Sequence, residues 1–476
     1  MTDIQKIIDI IEEKRDHFIQ VSDQIWDFAE TRFQEARSAE LICQTLEAEG
    51  FSVEKGIADL PTAFVGSFGT GSPVVAILGE YDALSGLSQK SGTTFHEPIE
   101  TGGNGHGCGH NLLGTGALAA AIALKEMMEQ QGLQGTVRYY GCPAEEGGSG
   151  KTFMARAGCF DDVDFALCWH PWTTNTILPG NSLANYQVYF KFKGKSAHAA
   201  VQPHLGRSAL DAVELMNVGV NYLREHIISD ARIHYAITNT GGFSPNVVQA
   251  EAEVLYLIRA PKTDQVKEIY ERVCKIARGA ALMTETEVEI VFDKACSNLV
   301  PNKTLSAKMA EVMNQVGVPV YNGEELLFAK QLHATLSEAD RKNELNNLPK
   351  EVAEALKNKA ISDINNPYSD DLADKPLGGS TDVGDVSWLV PTAQIGTACW
   401  VLGTPAHTWQ VVTIGATSIA HKGMLQAGKV LAGTALEVIK NPELLEKCKL
   451  ELKERLGGDV YQCPIPKEVV PACNRI

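Results

Sequence analysis

The first part of the chain alternates short apolar runs with segments of helical periodicity, a pattern typical of α/β proteins. Residues 73–79 are continuously apolar, as in a strand that is covered on both faces by other elements. Apolar positions at helical spacing predict helices over 4–29, 36–49 and 112–130. Further strands are predicted over 51–53, 62–68, 136–141 and 163–168. These elements predict an α/β domain built on a buried sheet.

The pattern changes at about residue 187, where alternating strands are interleaved with two long helices. Strands are predicted over 187–193, 233–239, 247–259 and 288–292, and helices over 208–228 and 264–283. The order strand–helix–strand–strand–helix–strand is the split ferredoxin-like plan. We therefore predict a catalytic domain formed by residues 1–186 and 295–476, interrupted by a small inserted domain over 187–294.

The segment 322–376 is polar, charged and mostly helical in propensity. We expect it to be a surface excursion of the catalytic domain, part of it mobile. The sequence Gly378-Gly379-Ser380-Thr381-Asp382 marks the return to an ordered loop. A helix over about 415–440 is expected to close the core of this domain.

The composition restricts the classes of function. The 476 residues carry 42 basic and 59 acidic side chains, a net charge of −17, which argues against binding to nucleic acid or anionic membranes. The richest apolar run, 114–124, is too short to span a bilayer, and the first residues lack the apolar core of a signal peptide. The 11 cysteines are scattered and odd in number, so we expect free thiols in a cytoplasmic protein.

Polar side chains of catalytic type follow three successive predicted strands. Glu80 and Asp82 follow the first, Glu145 and Glu146 follow the second, and His170 ends the third. In open α/β sheets, ligands bind at the edge where the carboxyl ends of the strands lie. The sequence therefore predicts a binding site at this edge of the sheet.

The stretch Asn104-Gly-His106-Gly-Cys108-Gly-His110-Asn111 places two imidazoles and a thiol among three glycines. Glycines let the backbone turn tightly, so that Cys108 and His110 can face one point. A thiolate and an imidazole are both good zinc ligands. Taken alone, however, Cys-x-His also fits a glycine loop with a buried cysteine.

The pair Glu145-Glu146 lies between a strand and a run of glycines. Adjacent carboxylates point in different directions, so one can bind a metal while the other acts as a general base. A solvated acidic turn is the alternative. The following Gly150-Lys151-Thr152 resembles the end of a phosphate-binding loop, but Glu145 occupies the position where that motif requires glycine. Nucleotide binding is therefore disfavoured.

A ligand set emerges only when these segments are combined. Singly, His170 and a later histidine, His407, are more often structural than metal-binding. Together the candidates provide one thiolate, three imidazoles and one carboxylate, which is enough for two ions with open positions. They are Cys108, His110, Glu146, His170 and His407.

These motifs in combination resemble the co-catalytic metallo-aminoacylase/carboxypeptidase family, in its aminoacylase and indole-acetyl-amino-acid hydrolase branch. The resemblance is carried by His106-x-Cys108-Gly-His110, Glu145-Glu146, Trp169-His170-Pro171 and His407, and it extends over nearly the whole chain. It implies a mixed-sheet α/β metallopeptidase-like catalytic domain with an inserted ferredoxin-like lid and dimerisation domain.

The resemblance also implies roles for individual residues. Five residues match the ligands of two divalent metal ions, zinc or manganese: Cys108, His110, Glu146, His170 and His407. Glu145 matches the catalytic base. His198, in the inserted domain, matches a histidine that reaches the active site of the partner subunit. Asn246 and Arg259 match groups that hold the substrate carboxylate. The implied assembly is a dimer through the inserted domain, with an identical or a homologous subunit.

The function implied is hydrolysis of the amide bond of a small N-acyl amino acid. A narrower resemblance over 104–111, 141–151, 380–388 and 403–410 implies p-aminobenzoyl-glutamate, a folate breakdown product, as substrate. The alternatives are a dipeptidase or general N-acyl-amino-acid hydrolase, and a non-catalytic partner of a homologous hydrolase. One departure from the family is Asn111, where many relatives have aspartate, and this change is expected to weaken the second ion.

Overall fold

The computed structural model describes residues 1–178, 180–373 and 376–473. The strands are β1 (Ser52–Lys55), β2 (Phe64–Thr70), β3 (Val74–Glu80), β4 (Gly135–Cys142), β5 (Phe165–Trp172), β6 (Thr176–Ile177), β7 (Asn181–Ser182), β8 (Ala184–Lys193), β9 (Arg232–Asn239), β10 (Glu251–Ala260), β11 (Glu287–Cys296), β12 (Pro376–Leu377) and β13 (Thr392–Ala398). The helices are α1 (Asp3–Glu13), α2 (Arg15–Phe28), α3 (Ala36–Ala48), α4 (His110–Gln131), α5 (Glu145–Gly148), α6 (Gly150–Arg156), α7 (Ala209–Leu223), α8 (Thr263–Thr284), α9 (Lys303–Val316), α10 (Gly323–His333), α11 (Glu338–Asn347), α12 (Lys350–Leu356), α13 (Val383–Ser387), α14 (Trp409–Ile414), α15 (Ser418–Ile439) and α16 (Pro442–Leu456).

The larger sheet has the strand order β1-β2-β4-β3-β5-β13-β6. Strands β4, β3, β5 and β13 run parallel to one another, whereas β1, β2 and β6 pair antiparallel at the two sides. Every residue of β3 is buried. Val75 and Ile77 contribute to the core on one face, and Ala76 and Leu78 to the core on the other. The predicted mixed α/β fold with a strand covered on both faces is therefore confirmed.

Helices α4 and α15 pack closely together over one face of this sheet. Glycine makes the contact close: a Cβ on Gly428 would lie 3.0 Å from the Gly116 carbonyl oxygen, and a Cβ on Gly116 would lie 2.7 Å from the Trp169 ring. This packing fixes α4 along its length and holds its first residue, His110, at the carboxyl edge of the sheet.

The smaller sheet has the strand order β11-β8-β10-β9, with every neighbouring pair antiparallel. Helices α7 and α8 cover one of its faces. The element order from β8 to β11 is the predicted strand–helix–strand–strand–helix–strand, although β10 begins at Glu251 rather than at 247. The division of the chain into domains at 187 and 294 stays a prediction.

Some helices of the structure differ from the sequence prediction. The predicted helix over 4–29 is two helices, α1 and α2, because the backbone turns at Lys14, whose ammonium binds Glu49 at 2.7 Å and Glu126 at 3.2 Å. Helix α16, which follows α15, was not predicted. The polar segment 322–376 contains α10, α11 and α12, in agreement with its helical propensity. Among the described residues, no helix is both long and apolar enough to cross a membrane.

Candidate metal centre

The predicted site residues meet at the carboxyl edge of the larger sheet. Glu80 is the last residue of β3, Glu145 and Glu146 open the short helix after β4, and His170 lies near the end of β5. His407 is in the loop that follows β13. Because these four strands are parallel, their ends bring residues that are far apart in sequence to one place.

Two groups of potential ligands share the Cys108 thiol. One group is Cys108, His110 and His170, and the other is Cys108, Glu146 and His407; within each group the ligand atoms lie within 4.8 Å of one another. The Cys108 Sγ is 3.3 Å from His170 Nε2, and His407 Nε2 is 3.3 Å from Glu146 Oε1. This arrangement suits two neighbouring cations with the thiolate between them.

Glycines on both sides of Cys108 allow the loop to reach the sheet. Gly109 has φ +77° and precedes the first residue of α4, and a Cβ there would lie 3.0 Å from the Pro171 ring. A Cβ on Gly107 would lie 2.4 Å from a methyl of Leu87. Larger residues at these two positions would push the Cys108 loop away from His170.

His407 has a strained backbone, with φ +62°. Non-glycine residues in this conformation are uncommon and often occur at functional sites. The His407 N–H donates to the Gly107 carbonyl at 2.8 Å, which ties the late loop to the Cys108 loop. The neighbouring Glu146 carboxylate raises the pKa of His407, although the His407 side chain is still 52% exposed.

The buried carboxylate of Asp82 orients two of the candidate ligands. Its Oδ1 lies 2.8 Å from His110 Nδ1, and its Oδ2 accepts a hydrogen bond from the Glu146 N–H at 2.9 Å. His110 Nε2 and Glu146 Oε1 are buried and have no hydrogen-bond partner of good geometry. These are the atoms that would bind a cation, so the residues present fit a metal centre.

In the absence of a cation, the surroundings disfavour the charged forms of Cys108 and Glu145. Burial, together with the charge of Glu146, raises the pKa of the Cys108 thiol. Burial and the charges of Glu80, Asp382 and Glu146 raise the pKa of Glu145 well above its ordinary value. A bound cation would reverse both effects, because it stabilises a neighbouring thiolate or carboxylate.

Lys151 is a buried residue of the centre that the sequence did not reveal. Its ammonium lies 2.6 Å from a carboxylate oxygen of Glu80 and 2.6 Å from one of Asp382, and its side chain is inaccessible to solvent. The Lys151 N–H also donates to Asp382 at 2.8 Å. The Lys151 ammonium is therefore paired with two buried carboxylates and is not available to bind a phosphate. No local pattern in the sequence indicates this burial.

The residues predicted to bind the substrate carboxylate lie in different places. Arg259 Nη1 donates to Ser380 Oγ at 2.9 Å, and Ser380 lies two residues before Asp382, a partner of the buried Lys151, so Arg259 is near the centre. Asn246 is exposed, and its carbonyl accepts from Ala199 N–H at 2.9 Å. Among the described residues, no hydrogen bond joins Asn246 to a candidate ligand.

His198 is exposed on the loop beside Asn246, and in the described part of the chain its side chain forms no hydrogen bond with a candidate ligand. Its Nδ1 accepts hydrogen bonds from the N–H groups of Ala200 and Val201, both at 3.2 Å. A neutral imidazole that accepts at Nδ1 carries its proton on Nε2. His198 therefore presents an N–H donor at the surface of the chain.

Two tryptophan side chains, Trp172 and Trp400, lie beside the centre. The Trp172 ring is 5.9 Å from that of His170 and 6.4 Å from that of Trp400. Trp172 is 38% exposed, whereas Trp400 is buried. An exposed indole beside buried metal-binding groups can pack against an aromatic part of a substrate.

The Asn111 side chain forms no hydrogen bond with a candidate ligand among the described residues. Its side chain donates to Ser22 Oγ and to the Gly415 carbonyl, both at 3.1 Å, and it is fully buried. The partner of His110 is Asp82 instead. The structure therefore gives no reason for the departure at Asn111 to weaken a metal ion.

Comparisons with known proteins agree with this architecture. Residues 76–405 match the peptidase family M20/M25/M40. The chain is 54% identical to a p-aminobenzoyl-glutamate hydrolase subunit of Escherichia coli (strain K12), over 99% of both chains. It is 29% identical to the Xaa-Arg dipeptidase of Mus musculus, over 94% of this chain and 93% of the dipeptidase.

A solved structure shares the fold. A dinuclear metal-binding peptidase of the M20 family from Bacillus subtilis superposes with a TM-score of 0.53 and 18% identity. The match covers 90% of this chain and 99% of the peptidase. The two chains therefore have the same overall architecture.

Proposed function

The chain belongs to the M20/M25/M40 peptidase family, whose members are hydrolases of amide bonds, and we propose that it is a metal-dependent amidohydrolase that converts p-aminobenzoyl-glutamate to p-aminobenzoate and glutamate. The main support for this chemistry is that two groups of potential metal ligands share Cys108 and lie beside the Glu145 carboxylate. The substrate is supported by the E. coli hydrolase chain with 54% identity over 99% of both chains.

Five side chains would hold the metal ions: Cys108 between the two, His110 and His170 on one side, and Glu146 and His407 on the other. His110 Nε2 and Glu146 Oε1 are buried without a well-aligned hydrogen bond, which supports this assignment. Two bound ions, zinc or manganese, would polarise the amide carbonyl and make a water molecule acidic enough to react. The related B. subtilis peptidase is described as dinuclear, which supports two ions rather than one.

Glu145 would be the general base. Its carboxylate would accept a proton from the attacking water and later donate that proton to the nitrogen of the departing glutamate. Glu145 lies with Glu80 and His110 in a third group of closely spaced polar atoms, next to the ligand Glu146. Asp82, which binds the Glu146 N–H, would fix the orientation of the short helix that carries both glutamates.

The inserted domain would supply groups that bind the substrate. Arg259 and Asn246 would hold the α-carboxylate, because a guanidinium matches the two oxygens of a carboxylate. The Nε2–H of His198 would stabilise the oxyanion in the site of a partner subunit. Trp172 would pack against the aminobenzoyl ring.

A dimer through the inserted domain would account for the exposed positions of His198 and Asn246. Strand β9 is at the edge of the smaller sheet and exposes Tyr235 and Ile237, and α7 exposes Val218 and Tyr222. An open strand edge next to apolar side chains favours pairing with another chain. The E. coli relative is named as one subunit of its hydrolase, which supports a homologous partner as well as an identical one.

The test is amide hydrolysis by the purified chain after removal of metal and reloading with zinc or manganese. We expect p-aminobenzoate to appear only with metal, and Glu145→Gln to lower kcat by about 10²–10⁴-fold while retaining the metal content of the unmodified protein. Glu40→Gln, a change in an exposed carboxylate of α3, is the control and should retain full activity. Turnover that survives metal removal, or that is equal in Glu145→Gln, would overturn the proposal.

A further inference from the structure

Two arginines lie directly opposite each other in the smaller sheet. Arg259 of β10 pairs with Arg232 of β9 in the antiparallel ladder. Side chains of opposite residues project from the same face with their Cβ atoms about 5 Å apart. Like charges in this arrangement destabilise a sheet. The pair therefore needs a compensating interaction.

The face that carries the two arginines looks toward the metal centre. Along β10, Ile258 and Ala260 are buried in the core beneath the helices, whereas Arg259 alternates with them on the opposite face. On that face Arg259 donates to Ser380 Oγ, two residues before Asp382, and Asp382 binds the buried Lys151 beside Glu80 of the centre. Arg232 shares this face and is one strand farther from the centre.

The structure offers no counter-charge for the pair. Within 1–178, 180–373 and 376–473, no carboxylate forms an ion pair with Arg259 or with Arg232. At the other end of the same face, in contrast, Glu253 of β10 is paired with Lys191 of β8 at 3.1 Å. Among the described residues, the positive charge of Arg259 and Arg232 is thus not balanced by an ion pair, whereas that of Lys191 is.

A third basic side chain extends the positive region. His234 lies two residues beyond Arg232 on β9, on the same face, opposite Leu257. Burial and the charges of Arg259, Arg224 and Arg232 lower the pKa of His234. The region combines two guanidinium groups with one imidazole and is suited to an anionic ligand.

We propose that Arg232, with His234, forms a subsite for the side-chain carboxylate of a dicarboxylic amino acid, while Arg259 holds the α-carboxylate of the same residue. This inference rests on the proposed amidohydrolase function and assigns its specificity to the leaving group. The substrate class is an N-acyl glutamate or N-acyl aspartate, because two carboxylates on one short aliphatic chain suit two guanidinium groups on one face of a sheet.

Arg232 is held in place for this role. Its Nη1 donates to the carbonyl oxygens of Ser229 and Ala231, the second at 2.8 Å. Its Nε and Nη2 donate no hydrogen bond to any described residue, so two donors of the planar fork are left for a ligand. A guanidinium that is already anchored loses less conformational freedom when it binds a carboxylate.

The experiment compares p-aminobenzoyl-glutamate with p-aminobenzoyl-glutamine, which has nearly the same shape but no side-chain charge. The quantity is the ratio of the two kcat/KM values, measured for the metal-loaded protein and for Arg232→Gln and His234→Gln. We expect the unmodified protein to favour the glutamyl substrate, and Arg232→Gln to lower the ratio by about tenfold or more, mainly through KM. Because His234 is exposed, His234→Gln should fold normally and lower the ratio less.

Arg272→Gln is the matched control, since Arg272 is an arginine of α8 that also donates to a backbone carbonyl, that of His226. It should leave the ratio unchanged. An unmodified protein with no preference, or a preference that persists in Arg232→Gln, would overturn the subsite. No turnover of any N-acyl amino acid by the metal-loaded protein would instead overturn the proposed function, so the two failures are distinguishable.

Discussion

The carboxylate of Asp82 lies 2.8 Å from His110 Nδ1 and also accepts the N–H of Glu146 at 2.9 Å, so one buried side chain orients a candidate ligand of each metal position. Such a partner fixes the tautomer of the histidine and leaves its other nitrogen aimed at the metal. Asp82 follows β3 directly, so the rigid core of the sheet determines where both ligands lie.

We predict that Asp82→Asn weakens metal binding by about 10–100-fold, because the amide is neutral and supports the imidazole less strongly. The dissociation constant can be measured by competition with a chromogenic chelator. Asp23→Asn is the matched control, since Asp23 binds His421 Nε2 at 2.8 Å outside the centre. Equal affinities of the two variants would show that Asp82 does not act on the ligands.

The shared thiol leads to a prediction about stoichiometry. Cys108→Ala removes a ligand atom from both groups and should reduce bound metal to nearly none per chain. His170→Ala removes an atom from only one group and should leave about one ion. Metal analysis after gel filtration measures both, with Cys399→Ala, another buried thiol, as control. Equal losses in the Cys108 and His170 variants would contradict a shared ligand.

Lys151 should be important for stability. Lys151→Met leaves Glu80 and Asp382 buried without their cation, which should lower the free energy of unfolding by about 3–5 kcal/mol. The exposed pair of Lys342 and Glu338 provides the control, and Lys342→Met should cost at most about 1 kcal/mol. Urea unfolding of the metal-free proteins measures both values. Similar losses would mean that the buried cluster contributes no more than a surface pair.

Glu35 predicts an unusual dependence of stability on pH. Burial and the charge of Asp82 raise the pKa of Glu35 from 4.5 to about 8. Between these values the folded protein holds a proton that the unfolded chain has released. The contribution of this proton to the free energy of unfolding is therefore complete below pH 4.5. Above pH 4.5 the contribution falls by about 1.4 kcal/mol per pH unit, and it is lost as the pH rises through 8.

Glu35→Gln should flatten this profile, because glutamine resembles the protonated acid and its oxygen can still accept from the N–H groups of Phe33 and Ala144. We expect the variant to match the unmodified protein near pH 5 and to be more stable near pH 8.5, as measured by unfolding of the metal-free proteins in urea. The same slope in both proteins would refute the assignment.

The sequence predicted the parts of the site that depend on strand ends. Apolar runs locate β3, β4 and β5, and the rule for parallel strands then brings Glu80, Glu145 and His170 to one edge. The alternation in 187–294 likewise located the strands of the smaller sheet. Periodicity is sufficient for these features because each element buries a face whose pattern is local.

Other features could not be predicted, because they depend on contacts between distant segments. The pairing of Lys151 with Asp382 joins residues 231 positions apart, and a lysine after glycines has no local signal for burial. Arg232 and Arg259 face each other because of the register between β9 and β10, and no local sequence pattern specifies that register. The turn at Lys14 was hidden because α1 and α2 together keep a nearly continuous apolar face.

The smaller sheet is joined to the rest of the molecule at neighbouring points. Asn185, at the start of β8, is the ladder partner of Cys296, at the end of β11, so the chain enters and leaves this sheet at adjacent positions. A segment whose two ends meet can be added to, or removed from, a loop of a host without separating the host's own strands. The same geometry makes the segment a module for engineering. Joining residue 183 to residue 297 by a short linker would keep the candidate metal ligands in one shorter chain, into which the corresponding segment of a relative could be grafted to exchange its specificity.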